Sequence, residues 1–236
     1  MNRTDNMHRI CVSIARATVE EGLAVAEGIC SLADVIEIRL DHLQDIFVSP
    51  FIAHLTKPLL FTNRPIWEGG GFAGDEEARI APLIEAAKQG ADYVDLELKA
   101  PTASQKALLE AVESSAGRLI LSWHNFQETP TREELVGRLA MIQDKGAHIA
   151  KIVTMAHDYH DVLRVLQLQE EAVRMEIPLI AFCMGSPGVV SRVATVELGG
   201  YMTYCAVNED EATAPGQLSV AVLRQIEALM QKKGSH

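Results

Sequence analysis

Eight short runs rich in Val, Ile and Leu recur along the chain, and most are followed by a longer segment with helical periodicity. The runs are Ile10–Ile14, Val35–Leu40, Leu59–Asn63, Tyr93–Leu98, Arg118–Trp123, His148–Thr154, Leu179–Met184 and Tyr201–Cys205. Strands that lack a clean period of two are buried on both faces, and this points to a parallel sheet covered by helices. Helix cues fill the gaps. Asp75, Glu76 and Glu77 open a helix that Gly90 closes, and Thr131 with Glu134 forms a capping box that predicts a helix ending near Gly146. Further helices are predicted at Thr18–Gly28, Ser104–Ser114, Tyr159–Arg174, Val189–Leu198 and Pro215–Lys232. Only the short Pro50–Lys57 segment follows the second run. Eight units in 236 residues match a (β/α)₈ TIM barrel, which needs about 250 residues. A doubly wound open sheet satisfies the same alternation, and periodicity does not separate the two. No linker, repeat or shift in composition divides the chain, so residues 1–236 are read as one domain.

Charge narrows the partners. With 21 Lys and Arg against 32 Asp and Glu, the net charge is −11, which disfavours attraction to nucleic acid or to an anionic membrane surface. No span long and apolar enough for a membrane helix and no secretory signal are visible, so a small-molecule partner in the cytoplasm is expected. Cys11, Cys30, Cys183 and Cys205 are widely spaced without a C-x-x-C pair, so they read as buried thiols rather than a zinc or disulfide framework.

In a (β/α)₈ barrel, chemistry gathers at the C-terminal ends of the strands. At or near those ends stand Glu37, Arg39, Arg64, Glu68, Asp95, Glu97, His124 and Lys151, with Arg192 and Gln217 later in the chain. A charge inside a buried strand is expensive unless paired. Lys151 lies in an otherwise apolar run, where desolvation would free its amine for attack on a carbonyl. An ion pair with a carboxylate such as Glu37 or Glu97 explains the residue equally well, and position alone leaves both open. His124 ends the preceding run and is placed to act as general acid and base beside Lys151, or simply to satisfy a hydrogen bond. His157 and His160 lack a third and fourth metal ligand and read as a solvated turn.

Gly69-Gly70-Gly71-Phe72-Ala73-Gly74 fits the G-x-G-x-x-G dinucleotide pattern. However, Arg64 to Glu68 separate the strand end from the first glycine, whereas a pyrophosphate turn leaves its strand directly. A flexible loop flanking a site is the preferred reading.

Taken in order, Glu37-Ile-Arg39-Leu-Asp41, Thr62-Asn-Arg64-Pro-Ile-Trp-Glu68-Gly-Gly, Ser122-Trp-His124-Asn-Phe126, Lys151-Ile-Val-Thr-Met155, Met184-Gly-Ser-Pro-Gly188-Val-Val-Ser191-Arg192 and Ala214-Pro-Gly-Gln217 resemble the type I 3-dehydroquinate dehydratases over nearly the whole chain. The resemblance implies a TIM barrel, often a homodimer, that converts 3-dehydroquinate to 3-dehydroshikimate in the shikimate pathway without metal or cofactor. It implies Lys151 as the imine-forming amine, His124 as general acid and base, and Glu68 as its acidic partner. Substrate contacts would come from Glu37, Arg39, Arg64, Arg192, Thr213 and Gln217, with Met184 and Tyr204 as apolar walls. Asn125 stands where many members carry Asp, Thr213 where a Ser is common, and the acidic segment 208–212 is slightly longer than usual. A Schiff-base lyase for another keto acid and a non-catalytic sensor of quinate-like ligands are the competing functions. Biosynthetic and catabolic roles are not separated by these residues.

Overall fold

A computed structural model describes residues 9–211 and 214–233. Its eight strands are β1 (Ile10–Ile14), β2 (Val35–Arg39), β3 (Leu59–Thr62), β4 (Tyr93–Glu97), β5 (Arg118–Asn125), β6 (Ile149–Met155), β7 (Leu179–Met184) and β8 (Thr203–Ala206). All described pairings are parallel, in the order β7-β6-β5-β4-β3-β2-β1-β8. The two ends of that order meet at the foot, where Tyr201 N–H donates to Leu179 O at 2.8 Å. The sheet is thus a nearly closed (β/α)₈ barrel, and the open-sheet alternative is excluded.

The helices are α1 (Val19–Ile29), α2 (Ser49–His54), α3 (Glu76–Lys88), α4 (Thr102–Glu113), α5 (Arg132–Asp144), α6 (Tyr159–Leu166), α7 (Leu168–Arg174), α8 (Val189–Glu197) and α9 (Val220–Lys233). Their starts follow side-chain chemistry. Asp75 accepts from Ala78 N–H, and Thr131 with Glu134 forms a complete capping box, each cap contributing about 1 kcal/mol. Several expected boundaries move, three of them most informatively. β5 runs on to Asn125 rather than ending at Trp123, because its pairing with β6 continues to Asn125 opposite Thr154. The helix expected over Tyr159–Arg174 is interrupted at Gln167. The last helix starts at Val220 rather than Pro215, since Gly216 sits at φ +75°, a conformation that a helix does not accept.

Two separate apolar cores result. Between the barrel and the helices lie outward residues such as Ile38, Phe61, Leu96, Leu121 and Ile152 with Leu83, Leu108 and Leu139 of the helices. Inside the barrel, Cys11, Val35, Leu60, Tyr93, Ile120, Ile149, Ile180 and Met202 plug the lower half. Two residues further up each strand, the inward positions become Ser13, Glu37, Thr62, Asp95, Ser122, Lys151, Phe182 and Tyr204. The barrel is therefore greasy at its foot and polar toward its top. Alternation of side chains along a strand forces this division.

α8 is locked closely to the end of β7. Ser191 Oγ accepts from Cys183 N–H at 2.8 Å and donates to the Gly188 carbonyl at 2.5 Å. A Cβ on Gly188 would lie 2.5 Å from the Met184 carbonyl oxygen and 2.6 Å from that of Cys183. Gly188→Ala is expected to lower stability by about 1–3 kcal/mol through overpacking. Gly28→Ala, at an exposed helical position with nothing within 4 Å, is expected to raise it by about 0.5–1 kcal/mol. Urea unfolding midpoints of the two variants check both signs.

Candidate active site

The upper interior opens into a cavity of about 570 Å³, including its open mouth. Glu37, Arg39, Arg64, Glu68, His124, Lys151, Met184, Arg192, Tyr204 and Gln217 all line it. Of the residues expected there from the sequence, Thr213 alone lies outside the described residues. Strand register explains the convergence. Lys151 pairs with Ser122, and His124 stands two residues beyond Ser122 on the same inward face of β5.

Lys151 is 4% exposed. Its Nζ lies 3.1 Å from Asp95 Oδ2 and 4.1 Å from the centre of the Tyr204 ring. The carboxylate partner is thus Asp95, in place of the expected Glu37 or Glu97. Glu37 instead accepts from Thr62 Oγ1 at 2.8 Å. Glu97 is engaged by Arg64 at 2.5 Å and by Arg79 at 2.5 Å. Asp95 itself is held by Arg64 at 2.7 Å and by the Ser122 hydroxyl at 2.7 Å. Despite its burial, the cations Arg64 and Lys151 hold Asp95 well below the usual carboxylate range.

His124 contacts Glu68 twice, its backbone N–H and its Nδ1 each 3.0 Å from Glu68 Oε1. Burial, with Arg64 and Lys151 nearby, pushes the imidazole well below its ordinary value, so the ring is neutral near pH 7. Burial pushes the Glu68 carboxyl the other way, up to about 7. With Glu68 ionised, Nδ1 carries the proton and donates it, which leaves the Nε2 lone pair for chemistry. Phe126, a residue the sequence reading did not single out for the site, stacks on the imidazole at 5.9 Å with planes 18° apart and also lines the cavity.

The three arginines at the mouth differ in one respect. Arg39 is gripped by Asp41, Nε to Oδ1 at 2.8 Å and NH2 to Oδ2 at 2.6 Å. Arg64 spends its fork on Asp95, Glu97 and Ser122. Arg192, 2% exposed, has no carboxylate partner among the described residues, and its Nε is buried with no hydrogen-bond partner. Its guanidinium lies 4.6 Å over the Phe182 ring and gives one long bond, 3.4 Å, to the Pro215 carbonyl. Burial lowers this guanidinium to about 10, which marks the absence of a compensating anion.

The triple glycine serves the loop that carries Glu68. Gly69, at φ +78°, closes a short 3₁₀ turn over 66–68, and a Cβ there would lie 2.4 Å from the Phe126 ring. Gly71 N–H donates to Asp41 Oδ2 at 2.9 Å. These contacts fold the loop back onto the barrel mouth, as a flanking loop should. His157, read from the sequence as part of a solvated turn, has its Nε2 2.7 Å from the Gln127 carbonyl oxygen.

Comparison with known proteins places the chain in a family. The profile of the type I 3-dehydroquinase family matches residues 10–234. A 3-dehydroquinate dehydratase of Desulfotalea psychrophila is 46% identical over 218 residues, which covers 92% of this chain and 96% of that protein. One from Methanopyrus kandleri is 35% identical, with coverage of 94% and 99%. The crystal structure of the Clostridium difficile type I 3-dehydroquinate dehydratase with covalently modified comenic acid superposes with a TM-score of 0.87, at 27% identity, over 97% of this chain and 94% of that one. With a matching barrel and a family profile spanning nearly its full length, the chain belongs to the type I 3-dehydroquinase family.

Proposed function

We infer that the chain dehydrates 3-dehydroquinate to 3-dehydroshikimate through an imine on Lys151, with His124 moving the protons. The observation that carries this reading is the pairing, on neighbouring strands, of a buried inward lysine with a neutral, partly buried histidine in one cavity. The Lys151 amine adds to the substrate ketone and, with loss of water, gives a protonated imine. That cation draws electrons from the adjacent carbon, whose proton passes to His124 Nε2. The resulting enamine pushes out the hydroxyl one carbon further on, and the imidazolium returns its proton to the leaving oxygen. Hydrolysis of the imine then frees the product and Lys151.

Asp95 is the counter-ion closest to the lysine nitrogen. Glu68, ionised, stabilises the imidazolium that exists between the two proton transfers. Arg192 takes the substrate carboxylate, because it is the described buried arginine of the cavity that lacks an anion. Glu37, Arg39, Arg64, Thr213 and Gln217 complete the polar contacts in this reading, and Met184 and Tyr204 form its walls. Family membership supports a place in the shikimate pathway, a cytoplasmic site of action and a homodimeric state.

Borohydride reduction in the presence of 3-dehydroquinate, followed by mass spectrometry, is expected to give an adduct on Lys151 that Lys151→Ala abolishes. His124→Ala is expected to keep the adduct while kcat falls about 10²–10⁴-fold. A wild-type enzyme that forms no adduct would sink the mechanism. Arg192→Lys loses the planar fork, and loss of one charge-assisted hydrogen bond at about 1.5–3 kcal/mol is expected to raise KM about tenfold to a hundredfold. Steady-state kinetics at saturating substrate separate this from an effect on kcat.

The pH response has a definite sign. A carboxyl raised to about 7 is ionised above that pH and protonated below it, so kcat falls as pH drops through about 7. Glu68→Gln, which mimics the protonated form, is expected to show a lower kcat without this limb, read from kcat measured on both sides of pH 7.

A further inference from the structure

We propose that Arg79, on helix α3 and outside the cavity, is a positioning residue for imine formation, acting through Glu97, Arg64 and Asp95 on the amine of Lys151. The proposal rests on the imine reading of Lys151 above. Arg79 is 1% exposed and does not line the cavity. Its fork is nevertheless saturated: Nε and NH2 meet Glu76 at 2.8 and 2.9 Å, and NH1 meets Glu97 Oε2 at 2.5 Å and the Asn63 carbonyl at 3.3 Å.

From there the charges alternate inward without a gap. Glu97 gives its other oxygen, Oε1, to Arg64 NH1. Arg64 NH2 holds Asp95 Oδ1, and Asp95 Oδ2 faces Lys151 Nζ. Each carboxylate in this row thus divides its two oxygens between two cations. Remove Arg79, and Glu97 has a buried oxygen with no partner, at a site where burial already disfavours its ionised form. Turning both oxygens onto Arg64 is the remaining way to satisfy it, and this pulls the Arg64 fork away from Asp95. Asp95 then no longer holds its second oxygen on the lysine nitrogen.

A second contact ties Arg79 to the histidine side of the site. Asn63 Nδ2 donates to the Arg79 carbonyl at 2.9 Å, and the guanidinium lies 5.9 Å from the centre of the Trp67 ring. Asn63 directly precedes Arg64, and Trp67 directly precedes Glu68. One residue on a helix, through its backbone carbonyl and its guanidinium, therefore braces the loop that serves both the amine and the imidazole.

The test compares Arg79→Gln, Arg79→Lys, Glu97→Gln and the double variant Arg79→Gln/Glu97→Gln. It reads the single-turnover rate of borohydride trapping at saturating 3-dehydroquinate near pH 8, steady-state kcat and KM, and the melting temperature. Arg79→Gln is expected to slow trapping and kcat at least tenfold with KM within threefold of wild type, since Arg79 does not touch the substrate. Arg79→Lys, which keeps a cation against Glu97, is expected to stay within about threefold. The double variant, which removes the charges as a matched pair, is expected to recover at least half of the logarithmic loss. Trapping rates per folded enzyme within twofold of wild type in Arg79→Gln overturn the proposal, as does a double variant no faster than the single one. Should Arg79→Gln not fold, Glu97→Gln decides: trapping slowed at least fivefold supports the row of charges, and an unchanged rate overturns it. Absence of trapping in the wild-type enzyme would instead count against the imine mechanism itself.

Discussion

Asp95 sits at the bottom of the polar half of the barrel with one oxygen on Arg64 and Ser122 and the other on Lys151. Much of the upper interior can be understood from the cost of placing that charge there. Taking a carboxylate and an ammonium out of water costs several kcal/mol for each ion, and the attraction between them offsets this only with good geometry and with the remaining lone pairs satisfied. Lys151 supplies one partner, but in the imine mechanism proposed above an amine that becomes a nucleophile cannot be the only cation on which Asp95 depends. Arg64, whose charge is permanent, supplies the other. Arg64 in turn is balanced by Glu97, and Glu97 by Arg79 out on the helix layer. The lysine can therefore change its charge and its covalent state while the rest of the row remains paired.

The apolar foot of the barrel makes that row possible. Eight inward side chains, among them Ile120, Ile149 and Ile180, fill the lower interior and exclude water from beneath the charged residues. The low-dielectric floor strengthens every pairing above it and moves the His124 and Glu68 pKa values in opposite directions. Burial keeps the His124 imidazole neutral and brings the Glu68 carboxyl up to about 7. A single environment thereby yields a base that is free at neutral pH and a carboxylate that can support the imidazolium.

The alternation of apolar runs and helix cues carried the eight β/α units, because burial on both faces leaves its mark on composition run by run, but it did not separate a closed barrel from an open sheet. Polar residues at or near the strand ends carried eight of the site residues, Glu37, Arg39, Arg64, Glu68, His124, Lys151, Arg192 and Gln217, to one cavity, whereas Met184 and Tyr204 came from the family resemblance. The partner of Lys151 was not legible. Glu37, Asp95 and Glu97 all alternate onto the inward face, and which carboxylate meets the lysine depends on the stagger between β4, β5 and β6, a property of the closed barrel. Arg79 was hidden for a different reason. Two residues after an acidic helix start, it reads as one more solvent-facing charge, and only its contact with Glu97 shows that it is buried. A signal was available in period two: Tyr93-Asp95-Glu97 and Ile120-Ser122-His124 each climb from apolar to polar along one face.

The net charge of −11 poses the problem of how this protein would attract a carboxylate substrate, and Arg192 shows where the answer lies. Arg39 and Arg64 are neutralised by acids within hydrogen-bond reach, so their charges are already spent on the barrel. Arg192 is held by a different kind of contact. Its helix is clamped to β7 through Ser191 and the close approach of Gly188, and the guanidinium rests on the Phe182 ring. These contacts fix its position without neutralising its charge. The fold carries a buried cation that burial destabilises, and an arriving carboxylate removes that penalty at the moment of binding. An anion bound at Arg192 would complete the pairing of charges in the cavity, so the global excess of negative charge and a local affinity for an acid are compatible in one chain.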